Sequence, residues 1–256
     1  MLASENWTAN PQTLALKSEQ IHIWRARIDS AEIDVQRLEG VLAADEKTRA
    51  NRFVFPRDRS AYVATRGILR QLLGKYAKVA PSDLHFEYHA RGKPFLSSHS
   101  LGRSVKFNVS HSNGMAVFAF TSNSEVGIDV EMVKYDVECE EIAHRYFSRE
   151  EIAELNSLSP DLRPLGFFLC WTRKEAYLKA KGEGLGIPLD RFQVSLTPGT
   201  PSRLVSADSS LWSLFSFDVE SNYAAACVTE NRGLQPRYFD WIPGQESTTS
   251  EKIGNR

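Results

Sequence analysis

The amino-acid sequence predicts an α+β fold with mainly antiparallel strand pairing, and three observations carry that reading. Stretches of helical spacing and stretches of strand-forming residues follow one another in blocks, without the strict β-α-β-α alternation of a parallel sheet. The strand candidates are short and separated by turn residues. The 256 residues are 42% hydrophobic and 25% charged, which is ordinary for a folded chain and excludes wholesale disorder. At about 150 residues per domain, this length fits one large domain or two compact ones.

Taken in order, residues 1–18 carry no helical or alternating pattern and are expected to be a loose tail. Residues 21–28 are rich in β-branched and aromatic side chains and read as the opening strand. Two helices follow. Residues 44–53 have a charged first turn, and 59–76 place Tyr62, Thr65, Ile68, Leu69, Leu72, Leu73 and Tyr76 at helical spacing. Pro81, Ser82 and Asp83 break the chain. Strands are expected at 86–88, 94–96, 105–109, 115–121 and 126–133. The polar turn 121–125 is a natural joint, dividing the chain into halves at 19–123 and 124–243. Beyond Met132 come helices at 140–146, 149–158 and about 165–181, then strands at 192–196, 211–218, 223–229 and 238–241. Residues 244–256 are polar, with a Ser-Thr-Thr-Ser cluster, and are expected to be a second loose tail. The halves have similar helix and strand content, but no sequence repeat links them.

Charge and cysteine usage narrow the function. Thirty-one Lys plus Arg face 32 Asp plus Glu, a net charge of −1. A general nucleic-acid binder shows a basic excess, so that class is disfavoured, while a local basic site for a small phosphorylated ligand stays open. Cys139, Cys170 and Cys227 are odd in number, far apart and not in metal-ligand spacing, which argues against a disulfide framework or a zinc site. The first 20 residues lack a basic start followed by an apolar core, and apolar runs such as 115–120 fall far short of the roughly 20 residues that span a bilayer. A cytoplasmic protein with no membrane partner is expected.

Four segments carry candidate chemistry. In Val126–Met132, Val126, Ile128, Val130 and Met132 share one strand face, and Gly127, Asp129 and Glu131 share the other. Residues two apart on a strand lie about 7 Å from each other, so both carboxylates can flank one divalent ion. Gly127 leaves room for a ligand to approach the backbone. Alone, the segment fits a half-exposed strand with a solvated acidic face at least as well. In the second segment, Trp171, Glu175 and Lys179 stand at i, i+4 and i+8, one above another on a helix. A surface Glu–Lys pair explains that spacing too, but Trp171 draws the face inward, where a buried Glu and Lys need partners such as a metal and a phosphate. Gly182 ends the helix. The glycines at 182–186 do not form a dinucleotide motif, because they follow a helix and not a strand.

The third segment is 107–114, containing Asn108, Ser110, His111, Ser112, Asn113 and Gly114. Adjacent strand residues point to opposite faces, so Ser110 and His111 make a poor nucleophile–base pair, and no G-x-S-x-G elbow exists. The segment reads as a strand entering an Asn-Gly hairpin turn, or as a site where Ser110 and His111 donate to phosphate oxygens. The fourth comprises Arg91-Gly92-Lys93-Pro94 and the run 46–53. Neither is a Walker A loop. A charged helix face such as 46–52 is solvated by default, whereas Lys93 is held in a tight backbone by Gly92 and Pro94.

Together and in this order, these segments resemble the Sfp-type 4′-phosphopantetheinyl transferases. The motifs are Arg-Gly-Lys-Pro at 91–94, Phe-Asn-Val-Ser-His-Ser at 107–112, Val-Gly-Ile-Asp-Val-Glu at 126–131 and Trp-x-x-Lys-Glu-Ala-x-x-Lys-x-x-Gly-x-Gly-Leu at 171–185. The resemblance spans roughly 21–241 and implies two similar halves in a pseudo-two-fold arrangement, each a mainly antiparallel sheet packed with helices, with coenzyme A in the cleft between. It implies transfer of the phosphopantetheine arm of coenzyme A to a serine of an apo acyl or peptidyl carrier protein, releasing adenosine 3′,5′-bisphosphate. By motif, Asp129, Glu131 and Glu175 would hold Mg²⁺. Glu175 is also a candidate base, directly or through a water, and Lys179 would stabilise the phosphates and the leaving group. Arg49, Lys93, Ser110 and His111 would bind nucleotide phosphates; a one-residue gap would place Lys47 differently, and Arg49 is put ahead of it. The surface from Met132 to about Phe147 would receive the carrier. One chain supplies the whole cleft, so a monomer suffices. Two rivals remain at this stage: an unrelated Mg²⁺-dependent phosphodiester-cleaving enzyme, and a non-catalytic module that binds coenzyme A or a carrier.

Overall fold

A computed structural model describes residues 5–9, 11, 14–96, 105–182 and 186–244. After a two-residue strand, β1 (Thr8–Ala9), the first half runs β2 (Gln20–Arg27), α1 (Val35–Gly40), α2 (Ala44–Ala50), α3 (Pro56–Ala77), a 3-10 turn at Pro81–Asp83, β3 (Phe86–Tyr88), β4 (Pro94–Leu96), β5 (Lys106–Ser112) and β6 (Met115–Thr121). The second half repeats the order with β7 (Val126–Met132), α4 (Cys139–Tyr146), α5 (Arg149–Ser157), α6 (Arg163–Lys181), a 3-10 turn at Leu189–Arg191, β8 (Gln193–Val194), β9 (Leu204–Val205), β10 (Ser213–Ser216) and β11 (Tyr223–Thr229). A last strand, β12 (Gln235–Asp240), closes the chain. Each half lays its final strand between the other two, as β2-β6-β5 and β7-β11-β10, all antiparallel. The α+β class and the pair of similar halves are therefore present as two copies of one topology.

The same buried device fixes the long helix in both halves. In α2, Glu46 Oε2 accepts the Ala43 amide at 3.0 Å and Arg70 Nε of α3 at 2.5 Å. Arg70 Nη1 then donates to the carbonyls of Pro81 and Leu84. In α5, Glu151 Oε2 accepts the Ser148 amide at 2.8 Å and pairs with Lys174 Nζ of α6 at 2.8 Å. Lys174 donates in turn to the carbonyls of Leu189 and Phe192. Ser148 and Glu151 form the S-x-x-E capping box. The run 46–52 is thus not a solvated face throughout: Glu46 is 1% exposed, held by Arg70 and by Arg66 Nε at 2.8 Å.

Three cores follow from the alternation of the strands. On β2, Trp24 and Ala26 face α3 and share a core with its Leu69 and Leu72 and with Phe118 of β6. On β11, Ala224, Ala226 and Val228 pack under Ala176, Tyr177 and Ala180 of α6. The opposite faces of the two sheets meet each other, with Ile21, Ile23 and Val117 against Ile128, Val130 and Cys227. This joint core is the destination of the apolar face expected for β7, and it leaves β6 buried along its whole length.

Several elements differ from expectation. Helix α1 was not expected; it is only six residues long, too short to show a period. The strands expected at 192–196 and 211–218 are shorter, and β5 extends through Ser112. Strand β12 does not finish the second sheet. It lies parallel to β2, with Phe239 opposite Trp24, and β1 lies parallel to it. The N-terminal tail is not loose at 5–9, because the Trp7 ring packs on Tyr238 and under the Arg25 guanidinium, and its indole N–H donates to the Asp218 carbonyl at 3.0 Å. The C-terminal tail beyond Gly244 and motif residues 183–185 lie outside the described residues.

Candidate active site

The site is set by how closely α6 lies on β7. A Cβ on Gly127 would come within 2.0 Å of the Ala176 carbonyl oxygen and 2.3 Å of the Ala180 amide nitrogen, so the position demands glycine. The sequence reading kept that space for a ligand; the helix backbone occupies it. Next along the same strand face is Asp129, which is 3% exposed and lies within reach of the next turn of α6. Lys179 Nζ meets Asp129 Oδ1 at 2.5 Å. On α6, Thr172, Arg173, Lys174, Ala176, Tyr177 and Leu178 are buried, while Trp171, Glu175 and Lys179 are half-buried. The i, i+4, i+8 stripe is therefore the open side of an otherwise enclosed helix. Trp171 is held in place by Phe167 and Tyr146.

The edge strand β5 supplies the facing wall. Ser110 Oγ donates to Asp129 Oδ1 at 2.7 Å, and Lys179 Nζ also donates to Ser110 Oγ at 3.0 Å. Ser112 Oγ donates to Glu131 Oε2 at 2.7 Å. Asn113 (φ 47°) and Gly114 (φ 88°) then make the expected hairpin turn into β6. His111 points the other way, as alternation requires. Its pKa is lowered by desolvation and by the nearby charge of Lys179, against an opposing pull from Asp58.

Electrostatics mark the cluster as short of positive charge. Glu175 is raised above the ordinary carboxylate range, first by desolvation and next by the charge of Asp129, with Lys179 pulling down and Glu131 pushing up. Glu131 is raised as well, first by desolvation, against the lowering effect of the Ser112 hydrogen bond. Asp129 Oδ2 is buried and, among the described residues, has no hydrogen-bond partner. An unsatisfied buried carboxylate oxygen is costly, and a cation is the partner that answers both it and the crowding of acids. Among the described residues no three His, Cys, Asp or Glu side chains converge as a ready-made metal site. The oxygen donors do fit a hard cation such as Mg²⁺, which keeps several of its own waters and takes few protein ligands.

Two expected phosphate ligands lie apart from this cluster. Lys93 Nζ donates to Glu125 Oε2 at 3.0 Å, to the Val126 carbonyl at 3.1 Å and to the Ala180 carbonyl at 3.2 Å. It thereby ties the first half to the start of β7 and to the C-terminal end of α6. Arg49 lines an open cavity of about 850 Å³ with Asp45, Thr48, Arg52, Phe53 and Tyr88, and its guanidinium lies 5.4 Å from the Tyr62 ring centre. Lys47 is not among these lining residues. Asn108 and Ser112 escaped the sequence reading as partners of β7, although their period-two spacing with Ser110 was visible. Arg173 and Lys174 are buried and bonded within the second half, so they serve the fold.

Comparison with known proteins identifies the family. Residues 125–228 match the model of the 4′-phosphopantetheinyl transferase superfamily, and residues 29–123 match the model described as 4′-phosphopantetheinyl transferase, N-terminal. The 4′-phosphopantetheinyl transferase HetI of Nostoc sp. (strain PCC 7120) is 37% identical over 240 residues, covering 94% of this chain and 100% of that protein. The chain belongs to the 4′-phosphopantetheinyl transferase family. The transferase is also 29% identical to 4′-phosphopantetheinyl transferase Sfp of Bacillus subtilis, over 63% of this chain and 69% of that one. It is 32% identical to the human L-aminoadipate-semialdehyde dehydrogenase-phosphopantetheinyl transferase, over 60% of this chain and 52% of that one. Two of the four motifs fall in each matched segment, and the chain is an enzyme of this family.

Proposed function

We propose that the transferase moves the 4′-phosphopantetheine arm of coenzyme A onto a serine hydroxyl of an apo acyl or peptidyl carrier protein and releases adenosine 3′,5′-bisphosphate, with Mg²⁺ bound by Asp129, Glu131 and Glu175. The observation that carries the cation is the buried, partnerless Oδ2 of Asp129 beside two carboxylates of raised pKa. Bound there, Mg²⁺ would neutralise charge on the pyrophosphate of coenzyme A.

The chain's own groups then have distinct tasks. Glu175, made more basic than an ordinary carboxylate, takes the proton of the carrier serine, directly or through a water. The serine oxygen bonds to the phosphorus that bears the pantetheine arm. The P–O bond to the second phosphate breaks, and its electron pair leaves on adenosine 3′,5′-bisphosphate. Lys179, already shared between Asp129 and Ser110, provides a positive charge beside the developing negative oxygens. Arg49 in its cavity, together with His111, Ser110 and Lys93, contributes the nucleotide side of the site, so the first half binds and the second half reacts. The surface from Met132 to Phe147 receives the carrier. A chain with net charge −1 suits small phosphorylated and protein partners better than nucleic acid. No described helix is long and apolar enough to cross a membrane, and we place the enzyme in the cytoplasm as a monomer.

Incubating the protein with apo carrier proteins, coenzyme A and Mg²⁺, then weighing the carriers by mass spectrometry, tests this reading. The expected result is addition of one phosphopantetheine group per carrier serine, abolished by a chelator. Unchanged masses across fatty-acid, polyketide and peptide-synthase carriers would overturn it.

A further inference from the structure

Strands β5 and β7 are edges of different sheets and share no backbone ladder. Three side chains on one face of β5 make the join instead. Asn108 Oδ1 accepts the Ile128 amide at 2.9 Å, and Ser110 donates to Asp129. Ser112 both donates to Glu131 Oε2 at 2.7 Å and accepts the Met132 amide at 3.3 Å. The main-chain donor fills a lone pair of the Ser112 oxygen, so its one proton is committed to Glu131. Each acid is thus held by one oxygen only: Asp129 by Oδ1, with Oδ2 partnerless, and Glu131 by Oε2.

We propose that Ser112 is a positioning residue for the transfer reaction, fixing the Glu131 carboxylate in the orientation that meets the divalent cation. The inference rests on the reading of Asp129, Glu131 and Glu175 as cation ligands. Ser112 touches neither substrate nor cation; it acts through Glu131, as hydrogen-bond partners of metal ligands do elsewhere, where their loss lowers metal affinity 10- to 100-fold. Removing the hydroxyl frees the carboxylate to turn and strips the Met132 amide of its acceptor. Threonine keeps the hydroxyl and preserves both bonds.

The test is a Mn²⁺ titration of wild type, Ser112→Ala and Ser112→Thr in the presence of coenzyme A, reading free Mn²⁺ by its paramagnetic resonance signal. Ser112→Ala is expected to bind Mn²⁺ about tenfold more weakly, with Ser112→Thr close to wild type. In steady state, Ser112→Ala needs more Mg²⁺ for half-maximal rate while its KM for coenzyme A holds. A purely structural role would lower the melting temperature and leave Mn²⁺ affinity alone, so equal affinity in folded Ser112→Ala overturns the proposal. A wild type that takes up no Mn²⁺ overturns the cation reading itself, and this inference with it.

Discussion

In the first half, α3 brings Tyr76 against His22 and Trp24 of β2; in the second, α6 brings Lys179 against Asp129 of β7. The frame is the same in both places. Arg70 and Lys174 do the same job, each joining a buried glutamate of the preceding helix to two carbonyls beyond the long helix. Counted from those two residues, Gln71 matches Glu175, Lys75 matches Lys179, and Lys78 matches Gly182, the last two both being left-handed helix caps. The strand faces beneath differ. His22 and Trp24 share the Tyr76 hydroxyl at 2.8 and 2.9 Å and close an aromatic core, whereas Asp129 and Glu131 line a cluster with an unmet oxygen. One topology thus encloses an aromatic core once and an acidic cluster with an unmet oxygen, the proposed active site, the other time. What fills the strand face decides which.

The comparison is open to attack at the shared device first. Lys174→Met leaves Glu151 buried without its cation and is expected to cost about 3–5 kcal/mol, read by urea unfolding. Arg70→Met leaves Arg66 still on Glu46 and is expected to cost less, about 1–3 kcal/mol. Equal losses, or a larger loss for Arg70→Met, would show that Arg66 does not back up Arg70 on Glu46.

The aromatic core gives the next effect, through pH. Burial, with a smaller contribution from Arg237, lowers the His22 pKa from 6.5 to about 4. The unfolded chain takes up a proton below about pH 6.5 and the folded chain does not until about 4, so stability falls as pH drops through that window. The gap corresponds to about 3 kcal/mol in all. His22→Gln should flatten this part of the stability profile; a slope unchanged from wild type would remove His22 as its source.

The smallest effect belongs to the first half's share of ligand binding. Arg49→Ala is expected to raise the KM for coenzyme A several-fold, on the order of 1 kcal/mol, and more at low salt than at high. A fall in kcat with KM unchanged would instead place Arg49 in the reacting half of the site.

Local patterns in the sequence were enough to place the candidate residues of the second half on their strand and helix. The stripe of Trp171, Glu175 and Lys179 was legible because helical spacing alone puts those residues in line, and Gly182 marked the helix end. The alternation of Val126–Met132 was legible for the same kind of reason. What stayed hidden depends on contacts distant in sequence. Gly127 declared an approach to the backbone but not that α6 makes it. The burial of Glu46 depends on Arg66 and Arg70, 20 and 24 residues away. Lys93 sits in a telling backbone, yet the carbonyls of Val126 and Ala180 that it holds are 33 and 87 residues along the chain. The sheet that β12 joins is fixed by β2, more than 200 residues earlier.

The most direct test of the claim that the second half carries the chemistry is Glu175→Gln, which keeps size and polarity and removes the base. Transfer is measured as the mass of an apo carrier after incubation with coenzyme A and Mg²⁺, beside wild type and with folding checked by thermal melt. The account predicts a folded protein whose transfer rate falls on the order of a thousandfold. A folded Glu175→Gln that loads the carrier at the wild-type rate would contradict it.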